Sequence, residues 1–186
     1  MQLIAYDERW PAAFEVEASR ILESVPGRYV EIRHVGSTAV PGLLAKPVID
    51  MLGGLCSFED VDLAIAELRA IGYRYLPDAA AQSPDRKWLF LQRRGRRTHH
   101  LHLVAFGSRA WCDRALFCEL LKSDPALRAE YEDLKRRLAA QLVGRREAYT
   151  AAKEPFILQA VAQCAPDPLK KRPSLPAPFV LADRRP

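Results

Sequence analysis

Seven residues set between two apolar runs constrain this chain most. Gly36-Ser37-Thr38-Ala39-Val40-Pro41-Gly42 holds two glycines and a proline, so it cannot continue a regular strand and must be a turn or a short irregular helix. Before it, residues 29–35 alternate Val30 and Ile32 with Glu31 and Arg33, the period of a strand. After it, Pro47 to Leu52 predicts a short buried strand on which Val48, Asp50 and Leu52 share one face. A strand, an irregular loop and a second strand bearing one carboxylate therefore form the frame around which the rest must pack.

Helical punctuation surrounds this frame. The spacing predicts a helix over residues 10–24, with Pro11 in its first turn. Residues 57–72 read as a second, with Ser57 as cap, Asp60 at the capping-box position and Gly72 as stop. Tyr73 to Leu76 suggests another strand. Lys87–Gln92 and Thr98–Ala105 form a hairpin joined by Arg93-Arg94-Gly95-Arg96-Arg97. Helices follow over residues 108–122, from Pro125 with Asp124 as cap to about Gly144, and over 146–164 with a kink or restart at Pro155. The expected fold is α/β or α+β, a mixed sheet with covering helices and a helical C-terminal third. One domain is expected over residues 1–165. Six of the fourteen prolines fall in residues 166–186, so an extended or disordered basic tail is expected there.

Several residues stand out against this scaffold. Gly36, Ser37 and Thr38 suit a phosphate cradle, with Lys46 adding a cation; the ordinary alternative is a capped loop. Asp50 interrupts an apolar strand, and a carboxylate there is costly unless paired or metal-bound. In His99-His100-Leu101-His102, a strand turns His100 and His102 to one face and His99 to the other. That pair suits acid–base work or a transition metal; the alternative is two hydrogen-bonded histidines. Tyr131 with Lys135, and Tyr149 with Lys153, each share a helical face. The lysines suit phosphate groups and the tyrosines a base. For Tyr131 the favoured reading is a core tyrosine with Lys135 reaching to water. The hairpin arginines are a solvated turn by default and a nucleic-acid contact as the alternative.

The string His34-Val35-Gly36-Ser37-Thr38-Ala39-Val40-Pro41-Gly42-Leu43, continuing Ala45-Lys46-Pro47-Val48-Ile49-Asp50, resembles the signature of the GrpB family. That family is also found fused to dephospho-CoA kinase. Tyr6-Asp7 with Trp10 and Phe14, His100-Leu101-His102 and the two Tyr–Lys pairs resemble its other blocks. The resemblance implies a nucleotidyltransferase-like scaffold of the DNA-polymerase-β type. It implies substrate binding by His34, Gly36, Ser37, Thr38, Lys46, Tyr149 and Lys153, and catalysis by Asp50, His100 and His102. It further implies a divalent metal at Asp50, Mg or Mn, with Zn or Fe if His100 and His102 are ligands. One departure is plain: the scaffold has a second carboxylate two residues after the first, and Leu52 stands there. A phosphorylated small molecule, either a nucleotide or a CoA-like molecule, is the expected partner, bound or acted on by nucleotidyl transfer. A non-catalytic module and an RNA-binding accessory are the alternatives.

The net charge of +5 favours anionic partners without choosing among them. No stretch is apolar and long enough to cross a bilayer, no signal-peptide core precedes Asp7, and the four cysteines show no metal spacing. The expected location is the cytoplasm, with the cysteines as buried free thiols.

Overall fold

A computed structural model describes residues 2–78 and 83–164. The five strands are β1 (Tyr29–Val35), β2 (Ile49–Leu55), β3 (Tyr73–Tyr75), β4 (Lys87–Arg93) and β5 (Arg96–Ala105). They form one mixed sheet in the order β1-β2-β5-β4-β3. β2 and β5 run parallel at its centre, and the remaining pairs are antiparallel. The helices are α1 (Trp10–Ser24), α2 (Val61–Ala70), α3 (Arg109–Ser123), α4 (Pro125–Gln141) and α5 (Arg146–Cys164). The expected α+β class and its mixed sheet are what the chain adopts. Residues 166–186, expected as a tail, lie outside the described residues.

Strand alternation divides the sheet into two unlike faces. One face carries Ile32, Ile49, Met51, Leu55, Leu89, Leu91, Leu101 and Leu103, and α1 and α2 close over it with Trp10, Phe14, Ile21, Ala64 and Leu68. The opposite face carries Val35, Leu52 and Val104 beneath Trp111 of α3. That face also receives the polar residues, because Asp50 pairs in register with His100, and Leu52 with His102. A third cluster joins α3, α4 and α5 to the irregular loop through Val40, Leu43, Phe117, Leu121, Tyr131 and Val161. Gly54 permits the close approach of α3: a Cβ there would lie 2.8 Å from the Trp111 ring. The sheet can therefore bring its polar centre up against the C-terminal helices.

Boundaries differ from expectation in three places. β2 extends through Gly53 and Gly54 to Leu55, because β1 and β5 flank it on both sides and supply partners for its backbone. The helix expected over 57–72 opens with a 3₁₀ turn (Phe58–Asp60); Ser57 caps that turn, and α2 begins only at Val61. The hairpin closes on two residues, Arg94 and Gly95, both at positive φ, the backbone of the tight turn that matches strand twist. Arg93 and Arg97 consequently belong to strands. Arg97 lies over Phe90 and Trp88, with its guanidinium carbon 4.2 and 5.2 Å from their ring centres. Arg93 reaches the buried Glu17 at 3.4 Å. The solvated arginine turn is thus only part of the picture, since two of its cations are used in packing.

Candidate functional site

The loop after β1 is a 3₁₀ turn, Ser37–Ala39, entered through Gly36 at φ 72° and ψ −171°, a region essentially reserved for glycine. Shape alone also demands glycine, since a Cβ at position 36 would lie 2.8 Å from Asp50 Oδ2. The backbone of the turn and the carboxylate of the second strand therefore touch. Asp50 Oδ1 accepts a hydrogen bond from His100 Nδ1 at 2.9 Å, so the imidazole's other nitrogen, Nε2, points away from the carboxylate. Trp88 packs edge-on to the same imidazole, with ring centres 5.1 Å apart.

Charge is arranged around Asp50 in a consistent way. Burial pushes its carboxyl pKa up, but the His100 hydrogen bond and the neighbouring His100, His102 and Lys153 more than offset this, and the net direction is down. It is a carboxylate at neutral pH. Burial lowers His102 to about 3 against the opposing pull of Asp50, so its imidazole is neutral. Lys153, on α5, is also pushed down by burial, with Asp50 pulling the other way. Lys153 and Lys46 both sit over the Tyr149 ring, 4.7 and 4.6 Å from its centre. Tyr149 is only 2% exposed, so it holds the two lysines beside the site from within the core.

His34 and Thr38 take different places from Asp50. His34 pairs in register with Met51 and stacks on Phe14 of α1, with ring centres 4.9 Å apart, which places it on the other sheet face. Its Nε2 meets Thr38 Oγ1 at 3.0 Å, and burial lowers its pKa to about 4. Neutral His34 and buried Thr38 thus brace the turn from beneath. His99, on that same face, is bonded to Thr98.

Lys135 is the residue whose role the sequence concealed. Expected to reach to water, it is 1% exposed. Its ammonium turns inward to Ser37 Oγ at 3.3 Å and to the carbonyl of Leu44, fastening both ends of the loop to α4. Glu132, one turn earlier, accepts from the Leu44 amide at 3.1 Å. Tyr131 packs against Phe117 and Phe156 as a core residue. The available signal was the i, i+4 Tyr–Lys pair; which way the lysine pointed depended on the loop packed against it.

Metal ligation finds less support. Among the described residues no group of three or more His, Cys, Asp or Glu side chains is arranged to hold a metal ion. Leu52 occupies the position of a second carboxylate, and His100 Nδ1 is committed to Asp50. The side chains present do not form a protein-held cage of the kind the sequence suggested. The cysteines also depart from expectation: all are free, but only Cys118 is buried, while Cys56 and Cys164 are exposed and Cys112 lies between. No described helix is long and apolar enough to cross a membrane.

Comparison with known proteins agrees with this geometry. The family model described as "GrpB protein" matches residues 1–163. A crystal structure of the conserved protein GrpB from Enterococcus faecalis superposes with a TM-score of 0.76 at 28% identity, covering 89% of this chain and all of that one. The glutamate-rich protein GrpB of Alkalihalophilus pseudofirmus is 33% identical over 159 residues, 83% of this chain and 90% of that protein. A dephospho-CoA kinase of Mycolicibacterium paratuberculosis is 29% identical over 182 residues; the match takes in 86% of this chain and 45% of the kinase. On the extent of the family match and the shared fold, the chain belongs to the GrpB family.

Proposed function

We propose that this GrpB-family chain binds a phosphorylated small molecule, a nucleotide or CoA-like compound, with a phosphate seated between the Gly36–Ser37 turn and the lysines 46 and 153. The observation that carries this reading is a glycine-only turn touching Asp50, a Ser37 hydroxyl pinned by Lys135, and Lys153 electrostatically coupled to Asp50 while sharing the Tyr149 ring with Lys46. Backbone and hydroxyl donors beside lysine cations suit a phosphate. The match to part of a dephospho-CoA kinase is what brings CoA-like molecules into the panel.

The finer reading is transfer of a nucleotidyl group. Asp50, oriented by the His100 hydrogen bond, would accept the proton of the hydroxyl as its oxygen bonds the α-phosphorus of a nucleoside triphosphate and pyrophosphate leaves, and the lysines would oppose the charge growing on the phosphoryl oxygens. A divalent cation would add charge neutralisation in such a reaction, but the donors among the described residues do not fit a protein-held metal cage. Simple binding without turnover is the second reading, favoured by Leu52 at the missing carboxylate position. RNA binding through the hairpin is weakened by the packing of Arg93 and Arg97. A cytoplasmic location, where cysteines stay reduced thiols, accompanies the main reading.

A thermal-unfolding panel tests the proposal. ATP, the other nucleoside triphosphates, CoA and dephospho-CoA are added with and without Mg²⁺, Mn²⁺ or Zn²⁺ to the wild-type protein and to Asp50→Ala. Ligand at a hundredfold excess over its Kd adds about 2.7 kcal/mol of stability. Stabilisation by one class, changed in Asp50→Ala, supports the reading. Indifference to every compound refutes it.

A further inference from the structure

Beyond the Gly36–Ser37 turn, the Asp50 face of the sheet holds a second group of cations. Arg86 precedes β4, and the register Lys87↔Leu103 and Trp88↔His102 puts it on the same face as His102 and opposite Val104. Val104 packs under Trp111, and Arg114 stands one helical turn after Trp111 on α3. Arg114 spends one donor on its own helix, Nη1 to Ala110 O at 3.0 Å. Neither arginine has a carboxylate within ion-pairing distance among the described residues.

The polar atoms of this corner are left without partners. Arg86 Nε, His102 Nδ1 and His100 Nε2 are all shielded from solvent and make no hydrogen bond. Such atoms are costly when buried unmatched, and three of them fall on one face at adjoining register positions. Burial, with like-charge repulsion from Arg86, lowers the Arg114 pKa to about 10 against the opposing pull of Asp85, Asp113 and Glu154. Burial lowers Arg86 too, while Asp85 and Glu154 only partly compensate. Two half-buried guanidiniums that repel one another beside unmatched ring nitrogens are electrostatically incomplete.

We propose that Arg86 and Arg114, with His102 beneath them, form an oxyanion subsite that takes a phosphate group. Guanidinium forks match phosphate oxygens in pairs, and a dianion between them removes the repulsion and gives an acceptor to Arg86 Nε and, in its Nδ1–H tautomer, to His102. This subsite lies on the far side of Asp50 and His100 from Ser37. It deepens the proposed function, on whose reading of the cleft it rests: the ligand class becomes one with two phosphate-bearing ends, or a small molecule accompanied by free phosphate.

Calorimetric titration at low ionic strength tests it, with inorganic phosphate, ATP and adenosine as probes. The proteins are wild type, Arg86→Gln, Arg114→Gln, Arg86→Lys and Ser37→Ala. The expected result is phosphate binding to wild type, weakened about tenfold or more in both Gln variants and retained in Ser37→Ala. Arg86→Lys, which keeps the charge and loses the fork, should fall between. Loss of repulsion should also leave Arg86→Gln at least as heat-stable as wild type without phosphate. ATP binding weakened in both Gln variants together with free phosphate would place the anion on the nucleotide, and weakening of free phosphate alone would make it a separate ion. Phosphate affinity unchanged in both Gln variants, or absent from wild type, overturns the subsite. ATP and free-phosphate binding that both survive the two Gln substitutions, with ATP binding lost in Ser37→Ala, sinks the subsite and leaves the proposed function standing.

Discussion

Lys135 offers the most direct test of how the site is built. Its ammonium is 1% exposed, and burial, with Lys153 adding repulsion, lowers its pKa to about 7 from an ordinary value of 10.5. Below pH 7 both folded and unfolded chains carry this proton, and the folded chain bears the full cost of the buried charge. As pH rises from 7 towards 10.5 the folded chain releases the proton first. The unfolded state then binds more protons, so stability rises with pH across that window. Each pH unit is worth about 1.4 kcal/mol, which sets a ceiling of about 5 kcal/mol over the window. Ser37 Oγ and the Leu44 carbonyl both accept from the ammonium and favour its charged form, so we expect about half of that ceiling. Urea unfolding of wild type and Lys135→Met at pH 7 and near pH 9.5 measures it. Deleting the hydrogen bonds adds a cost common to both pH values, so the comparison isolates the proton. Wild type should gain about 2 kcal/mol more than Lys135→Met between the two conditions. Parallel pH profiles, within about 0.5 kcal/mol, would refute the inward, charge-burdened lysine.

Other perturbations follow from the same structure. Gly36→Ala should destabilise the fold by about 2 kcal/mol or more through its backbone conformation and the contact with Asp50 Oδ2; unfolding midpoints and the His100 ring resonances would report both effects. Trp111→Ala, at a side chain 1% exposed, should cost about 3–5 kcal/mol by emptying the space above Gly54, measured by denaturant unfolding. Glu17→Ala should cost about 3 kcal/mol, because the 2% exposed carboxylate binds Arg20, the Tyr73 hydroxyl and Arg93. Alkylation should label the exposed Cys56 and Cys164 at neutral pH and spare Cys118, whose thiol burial pushes up to about 11; mass spectrometry of labelled peptides reads the difference.

Sequence periodicity determined much of this molecule, because alternation and capping act over a few neighbouring residues. The α1 span, the irregular loop after β1, the two faces of the His99–His102 strand and the isolation of Asp50 were all legible that way. Partnerships between distant segments were not. The central parallel pairing of β2 with β5 sets His100 beside Asp50 across 50 residues, and no local pattern encodes that register. Lys135 and Ser37 stand 98 residues apart; a helical Tyr–Lys spacing serves equally for a lysine reaching water or one drawn inward. Arg97 read as a solvated turn until Phe90 and Trp88 lay beneath it. The sequence alone settled which residues are ionisable and, to within a few residues, where strands and helices fall, since those depend on local chemistry. The packing of α3, α4 and α5 against one sheet face decided which charges are buried together, because desolvation and Coulomb coupling depend on distances that only the folded chain creates.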